Sequence, residues 1–426
     1  TFLSHAVDIE GLDSRSIARL KAEARFIRNF LFFRLANLYG DVPLFMSDPT
    51  LEAASNISRT PHGEVIRTIT ADLEDLIADL PANTSMPDAE RGRITRGAAA
   101  MLRARIALME SDWDNVEKWC QRIVDGEFGH YELFPSYSGL FSEENEYNCE
   151  VILDCGYVNG VRTWGNINQM KPPTLRSSTV TWTPTQSLVD TYLTMGGYSI
   201  DEAGTDYNPA RPYNNRDPRL GATVVYDNST LYDPCTGQTH TIFINPSTGI
   251  SDDNVGIGTG LYKTVTGYYT RKWFSPIHDD NGYQSGLNII MMRYADVLLM
   301  LAEAKNELGK MNETVWNNTI RLIRQRAGFT ASKAIDYPAG ADMQRIIRNE
   351  RRVELALEGL RWWDIKRWKA GKEYLDGPVK GCTFVGGAEV LDTYSFDENR
   401  DYLWAVPLNE IDFNPNLKPQ NAGYGN

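Results

Sequence analysis

The densest group of chemically capable side chains lies in residues 349–368. Glutamates and arginines alternate there at helical spacing, for example at Glu350, Arg351 and Glu354. A cluster of carboxylates and guanidinium groups can serve as an acid–base site. The same spacing also describes ion pairs between successive turns of a helix. Because the second explanation needs no substrate, we interpret the run as an ion-pair network joining two helices, with its tryptophans in the core.

Other catalytic and metal-binding patterns are missing from the sequence. It contains no GxSxG, HExxH or P-loop motif, and its five histidines show no pair at ligand spacing. The acidic segment 279–282 lacks the alternating ligands and terminal glutamate of a calcium loop, which favours a solvated turn. We expect no metal, no cofactor and no catalysis. A carboxylate pair for glycoside hydrolysis stays open, because its separation is a three-dimensional property.

The five cysteines, Cys120, Cys149, Cys155, Cys235 and Cys382, also do not form a metal-binding pattern. None belongs to a CxxC motif, so a zinc site is not expected. Cys149 and Cys155 are close enough in sequence to bridge a short loop. An odd total in a protein of this size does not indicate a disulfide framework, which favours mostly reduced, buried thiols.

The first third of the chain is predicted to be helical. Apolar residues recur at i, i+3, i+4 and i+7 from Ile66 to Leu80, which predicts an amphipathic helix. Thr60 and Pro61 suit its N-cap and first helical position. Segments 95–110 and 113–123 predict a second and a third helix, joined by a tight turn into a helical hairpin.

The middle of the chain, residues 131–285, has a different character. It is rich in Gly, Pro, Asn, Thr and Tyr, with short β-type runs at 223–226 and 241–244. Turn signals such as Asn245-Pro246 surround these runs. The pattern predicts a loop-rich insertion with small β elements, and binding residues concentrate in such loops.

Helical periodicity returns in four segments, 290–308, 315–327, 342–358 and 360–369. The first two form a hairpin of about 34 residues, the length of a tetratricopeptide repeat. We therefore predict a mainly α fold, a tetratricopeptide-like α-superhelix of helical hairpins, with the loop-rich insertion placed inside it.

Composition narrows the function further. The 426 residues carry a formal net charge of −13, which argues against sequence-independent nucleic-acid binding, since that needs a basic face. The sequence contains no run of eighteen apolar residues, so it does not predict a membrane-spanning helix. Aromatic residues make up 11% of the chain, and they serve either as core or as binding surface.

The sequence resembles the SusD/RagB family of cell-surface glycan-binding lipoproteins. The resemblance is carried by blocks that follow one another over nearly the whole chain, at residues 22–28, 38–44, 182–192, 217–220, 292–304, 323–328, 350–368, 407–417 and 420–421. It implies one domain over residues 1–426, made of N-terminal helical hairpins (1–130), a ligand-facing insertion (131–288) and C-terminal helical pairs with terminal loops (289–426). It also implies an upstream signal peptide, a lipid-bearing cysteine and a first helical segment, which we expect to be absent from this sequence.

The function that the resemblance implies is capture without catalysis. Such a protein sits on the outer membrane at the cell surface, held by an N-terminal lipid, and binds an oligosaccharide or polysaccharide. It hands that ligand to a SusC-like TonB-dependent transporter. Two alternatives stay open: a RagB-type member that captures oligopeptides, and a glycosidase on a helical scaffold.

The ligand-binding residues are predicted from the same resemblance. Residues 267–273 are similar to a stretch that supplies stacking aromatics in glycan-binding members. The candidates are led by Trp273, followed by Tyr269, Tyr268, Arg271, Trp164 and Trp182. Each aromatic can alternatively pack between the insertion and the helices, and for Trp182 packing is the favoured explanation. Four other tryptophans, Trp362, Trp363, Trp368 and Trp404, are expected to be scaffold.

Overall fold

A computed structural model of the chain describes residues 2–6, 11–233, 235–256, 262–274, 284–382, 384 and 390–425. These residues separate into two compact units. Unit one comprises residues 1–130, 363–376 and 395–426, and unit two comprises residues 131–362 and 377–394. The first boundary falls where the sequence changes from helical hairpins to loops. The single domain over residues 1–426 stays a prediction.

Unit one begins with six helices. They are α1 (Phe2–His5), α2 (Ser14–Tyr39), α3 (Leu51–Asn56), α4 (His62–Leu76), α5 (Arg96–Met109) and α6 (Trp113–Val124). Helix α2 packs on α4, α4 on α5, and α5 on α6. The α5–α6 hairpin is confirmed, and side chains cap both of its helices: Thr95 accepts from the N–H of Ala98, and Asp112 from that of Asn115.

One half-buried carboxylate on α4 bonds three side chains of α2. Asp72 accepts hydrogen bonds from Arg25 (2.6 Å), Arg28 (2.8 Å) and Asn29 (2.7 Å), all on α2. These donors lie three and four residues apart, so one face of the helix presents all of them.

Helix α4 starts differently from the sequence prediction. Thr60 was expected to cap it, but Pro61 occupies the cap position and makes no side-chain cap bond. Asp41, a residue distant in sequence, accepts from the N–H of His62 at 2.8 Å. The predicted cap is therefore wrong, because a carboxylate from another segment satisfies the first turn.

Unit two combines short helices with small antiparallel strand pairs. Its helices are α7 (Gln186–Thr191), α8 (Pro218–Thr223), α9 (Tyr294–Glu307), α10 (Glu313–Asn317), α11 (Ile320–Arg326), α12 (Ser332–Ile335) and α13 (Met343–Glu354). Its first strands are β1 (Val151–Cys155), β2 (Val224–Val225), β3 (Ser229–Asp233), β4 (Gln238–Ile242), β5 (Tyr269–Thr270) and β6 (Ile289–Arg293). The pairs are β1 with β6, β2 with β5, and β3 with β4.

The remaining elements lie towards the C-terminus. They are α14 (Arg361–Arg367), which spans the boundary between the units, α15 (Gly371–Tyr374), β7 (Gly377–Lys380), β8 (Val390–Tyr394) and α16 (Leu408–Phe413). Strands β7 and β8 pair with each other. No helix within the described ranges is long and apolar enough to cross a bilayer.

Two predicted boundaries are corrected. The segment 290–308 was expected to be helical throughout, but its first residues form β6 and the helix begins at Tyr294. The reason is non-local, since β6 pairs with β1, far upstream in the sequence. The segment 315–327 holds two short helices, α10 and α11, instead of one.

The predicted fold class is otherwise confirmed. The described residues contain sixteen α-helices and only eight short strands. Helical hairpins dominate unit one, and the strands outside β7–β8 concentrate in the loop-rich region and its borders.

Candidate functional site

The charged run at residues 349–368 is a buried ion-pair network in unit two. Glu354 is 0% exposed and accepts from Arg219 (2.8 Å), from Arg293 (2.7 Å) and from Arg326. Burial alone would raise the pKa of this carboxyl, but the attraction of the three guanidinium groups holds it well below its usual range. Glu354 is therefore ionised in the folded protein.

Two neighbouring glutamates complete the network in the same way. Glu350 pairs with Arg324 at 2.7 Å and Glu358 with Lys272 at 2.7 Å. The predicted ion pairs are confirmed, but their partners lie on other elements and not on successive turns of one helix. The tryptophans of the run were expected in the core and are half-buried instead: Trp362, Trp363 and Trp368. All three carboxylates are buried and paired, so a substrate cannot reach them for acid–base chemistry.

Trp273, the leading predicted binding residue, is buried in unit two. Its ring is 6% exposed and packs edge-to-face on Phe141, with 4.9 Å between the centroids. Its indole N–H donates to the carbonyl of Leu357 at 2.9 Å. In this conformation Trp273 presents no ring face to a ligand.

The two predicted tyrosines beside it are also interior. Tyr268 is 1% exposed and donates to Gln186 at 2.6 Å, whereas Tyr269 is 0% exposed and donates to the carbonyl of Asp253 at 2.9 Å. Alternating side chains in an extended segment point to opposite sides, so the two rings enter different apolar clusters. The predicted stacking surface at 267–273 is thus closed by packing on both sides.

Trp182 is the predicted aromatic that the structure leaves open, with 48% of its surface exposed. Its backbone is held from two directions. The N–H of Trp182 donates to the carbonyl of Gln169 at 3.0 Å, and its carbonyl accepts from the hydroxyl of Thr270 at 2.8 Å. The expectation that this ring packs as framework does not fit such exposure.

Polar groups flank the exposed indole. The hydroxyl of Thr181 donates to the side-chain amide oxygen of Gln169 at 2.9 Å. Thr181 is exposed and Gln169 is half-buried. We call Trp182, Thr181 and Gln169 the Trp182 face. Sequence reasoning missed Gln169 and Thr181, since nothing in the sequence shows that residue 169 lies beside residue 182.

Arg271 and Trp164 lie close in the chain to the elements that hold this face. Arg271 directly follows Thr270, and among the described residues nothing forms an ion pair or a side-chain hydrogen bond with its guanidinium. Burial lowers the pKa of Arg271, and Tyr226 opposes that shift. Trp164 is half-buried, and its indole N–H donates to the carbonyl of Leu287 at 2.9 Å.

A pair of stacked tyrosines, Tyr213 and Tyr226, is positioned by the same strand pair as Arg271. Tyr226 stacks on Tyr213 with 4.2 Å between ring centroids, and both rings are half-buried. Tyr226 follows β2 and Arg271 follows β5, so the β2–β5 pair positions both. Tyr213 was missed from the sequence, where it lies in a turn-rich segment without periodicity.

The structure shows no metal-binding arrangement in the ranges it covers, where no three His, Cys, Asp or Glu side chains converge. The acidic segment 279–282 lies outside the described residues. Cys149 and Cys155 carry free thiols, so the short bridge that their spacing allows is not formed.

Comparison with known protein families shows which family this chain belongs to. The SusD family matches residues 149–424, and a second family, described as "Starch-binding associating with outer membrane", matches residues 6–108. The chain belongs to the SusD family. The chain shares its tetratricopeptide-like helical architecture with solved structures of SusD-like proteins.

Individual SusD-like proteins match this chain to different extents. SusD-like protein P2 of Formosa agariphila is 28% identical, covering 97% of this chain and 75% of that protein. A crystal structure of a SusD-like carbohydrate binding protein from Bacteroides fragilis has a TM-score of 0.83 at 25% identity, covering 98% of this chain and 83% of that one. The starch-binding protein SusD of Bacteroides thetaiotaomicron is 26% identical over 33% of this chain and 24% of its own length.

Proposed function

We propose that this SusD-family chain captures an oligosaccharide on the Trp182 face and does not alter it chemically. The observation that carries the proposal is the half-exposed side chain of Trp182, whose backbone is fixed through both its N–H and its carbonyl. A rigid aromatic side chain loses little conformational entropy when a ligand covers it, so it suits capture.

The chemistry of the face fits a sugar. A flat indole offers an apolar surface to the C–H face of a pyranose ring, and nearby amide and hydroxyl groups bond the sugar hydroxyls. Gln169 and Thr181 supply those polar groups. Arg271 and Trp164 remain proposed contributors to the same ligand.

The relatives support this reading by their descriptions. One SusD-like neighbour is described as a carbohydrate binding protein, and another relative as starch-binding. We extend that class of ligand, a glycan, to this chain. The identity of the sugar is left to the experiment, because stacking tolerates many sugar types.

Delivery is the second part of the proposal. We infer that the protein works at the outer membrane, at the cell surface, anchored by an N-terminal lipid. There it passes the glycan to a SusC-like TonB-dependent transporter. The family description that matches residues 6–108 supports the outer-membrane setting.

The test is calorimetric titration of the full chain with a panel of neutral oligosaccharides and extended peptides. Trp182→Ala should weaken glycan affinity roughly tenfold or more, the usual cost of losing a central aromatic anchor. Trp404→Ala is the matched control, because its ring is 51% exposed but lies in unit one. Binding of peptides and not of glycans, or equal affinity in both variants, would overturn the proposal.

A further inference from the structure

Unit one contains a cavity of about 970 Å³ whose lining is unusually basic for a chain of net charge −13. Six lysine and arginine side chains and three carboxylates line it. The volume is near the upper end of ordinary ligand pockets. The cavity therefore has room for more than a single ion.

Three of its cations have no carboxylate partner among the described residues: Arg59, Lys366 and Lys369. The guanidinium of Arg59 donates to carbonyl and amide oxygens only, for instance to the carbonyl of Tyr39 at 3.0 Å and to the side-chain oxygen of Asn421 at 2.5 Å. These bonds fix its position without forming an ion pair, although the charge of Asp41 partly offsets the effect of burial on its pKa.

The two lysines extend the positive lining. Lys366 is only 8% exposed, and its ammonium donates to the carbonyl of Asn37, which uses one of its three protons. Lys369 is exposed, with its ammonium 4.7 Å from the centroid of the Tyr402 ring.

Two of the three lining carboxylates are already engaged by one residue. Asp41 accepts from the backbone N–H of His62 at 2.8 Å, and Glu110 lies 2.9 Å from the imidazole Nε2 of the same residue. Among the described residues, neither forms an ion pair with Lys366 or Lys369, although the charge of Glu110 acts on Lys366. A concave, partly buried surface concentrates the remaining positive potential.

We propose that this cavity binds an oxyanion, a carboxylate or sulfate group, either as a free ion or as a substituent of an acidic saccharide. The site is independent of the Trp182 face, since every residue named for it belongs to unit one. Its ligand chemistry also differs, because an anion is held by charge and a neutral sugar by stacking.

The electrostatics of Lys366 fit an anion site. Burial and then the nearby charge of Lys369 lower the pKa of Lys366 to about 8, and Glu110 acts in the opposite direction. A bound oxyanion would add its negative charge to that of Glu110 and stabilise the buried ammonium further.

The proposal is tested by calorimetry on the full chain at low ionic strength, with sodium sulfate, sodium glucuronate and neutral glucose as probes. Sulfate and glucuronate should bind, and glucose should not. Binding of both anions supports the oxyanion site, and binding of glucuronate alone supports it with the saccharide as source. No binding of either anion overturns it.

Variants assign the binding to the cavity. Lys369→Gln, an exposed position, should weaken anion affinity roughly fivefold, as expected for one charge contact, and Lys366→Met should weaken it further. Lys372→Gln is the matched control, because that lysine is exposed and does not line the cavity. Should Lys366→Met fail to fold, Lys369→Gln carries the test.

The outcome also separates this site from the glycan proposal. Trp182→Ala should leave anion affinity unchanged. Unchanged anion affinity in Lys369→Gln, or an equal loss in Lys372→Gln, would contradict the cavity as the site. Loss of anion binding in Trp182→Ala would contradict its independence.

Discussion

Four of the blocks that carry the resemblance to the SusD family meet in one group of buried charges. Arg219 comes from the block at 217–220, Arg293 from 292–304 and Arg326 from 323–328, and all three meet Glu354. Removing one partner of such a network leaves an uncompensated charge in a low-dielectric interior, which is far more costly than losing a surface pair. The family motif is therefore a stability feature at the residue scale.

Glu354→Gln tests this account. We expect the free energy of unfolding to fall by about 3–5 kcal/mol at pH 7, because three guanidinium groups lose their shared carboxylate. The pKa of Glu354 is lower in the folded chain than its ordinary 4.5, so its stabilisation is present above pH 4.5 and is lost as the pH falls below it. Urea unfolding of both proteins from pH 7 to pH 2 measures both effects.

The control for that experiment is Glu373→Gln, an exposed glutamate on α15. It should change the free energy of unfolding by less than about 0.5 kcal/mol. A similar small change for Glu354→Gln would refute the structural role of the network.

Trp273→Ala separates a core residue from a binding residue. The substitution empties a buried site and removes the indole bond to Leu357, so unfolding should become easier by about 3–5 kcal/mol. Thermal or urea unfolding measures the loss. Unchanged stability together with lost glycan binding would instead return Trp273 to the ligand site.

At the scale of elements, one contact between the start of α4 and the end of α5 is expected to stabilise the fold in a pH-dependent way. His62 opens α4 and pairs with Glu110, the residue that ends α5, and this hydrogen bond raises the pKa of His62 above its ordinary 6.5, although burial opposes the shift. The contribution of this pair to the free energy of unfolding is fully present below pH 6.5. It is lost as the pH rises through the raised pKa of His62 in the folded chain.

His62→Gln should therefore destabilise the chain more at pH 5.5 than at pH 8.5, by about 0.5–1 kcal/mol for a partly exposed pair. Urea unfolding at the two pH values gives the difference. A second variant, Glu110→Gln, should reproduce the same pH dependence. A destabilisation that does not vary with pH would contradict the assignment.

Elements that depend on local periodicity were predictable from the sequence, and those that depend on distant partners were not. The α5–α6 hairpin follows from apolar spacing and two local caps. The sequence predicts helix where strand β6 forms. Its strand conformation depends on pairing with β1, which lies far upstream and leaves no local signal. The cap of α4 failed for the same reason, since Asp41 is not a sequence neighbour.

The candidate site shows the same division. Aromatic types and a family resemblance pointed to the segment 267–273, yet the β2–β5 pairing and the surrounding loops bury Tyr268 and Tyr269. Trp182 was expected to pack, but its side chain is exposed, and its backbone is bonded to Gln169 and Thr270, which are distant in sequence. Solvent exposure of a ring is set by contacts that no local pattern records.

At the scale of the whole molecule, the two proposed sites differ in their chemistry. Unit two has an exposed indole flanked by neutral polar groups, and unit one has a cavity lined by more cations than carboxylates. The net charge of −13 repels anions over long distances, so anion binding in unit one has to come from the local field of its own lining.

The central claim is that a glycan is captured on Trp182. The most direct measurement is a crystal structure of the full chain with an oligosaccharide selected from the titration panel. We predict a pyranose ring stacked on the Trp182 indole, with carbon atoms at about 4 Å and sugar hydroxyls bonded to Gln169 or Thr181. A saccharide bound elsewhere, with the Trp182 ring still open to solvent, would contradict the account.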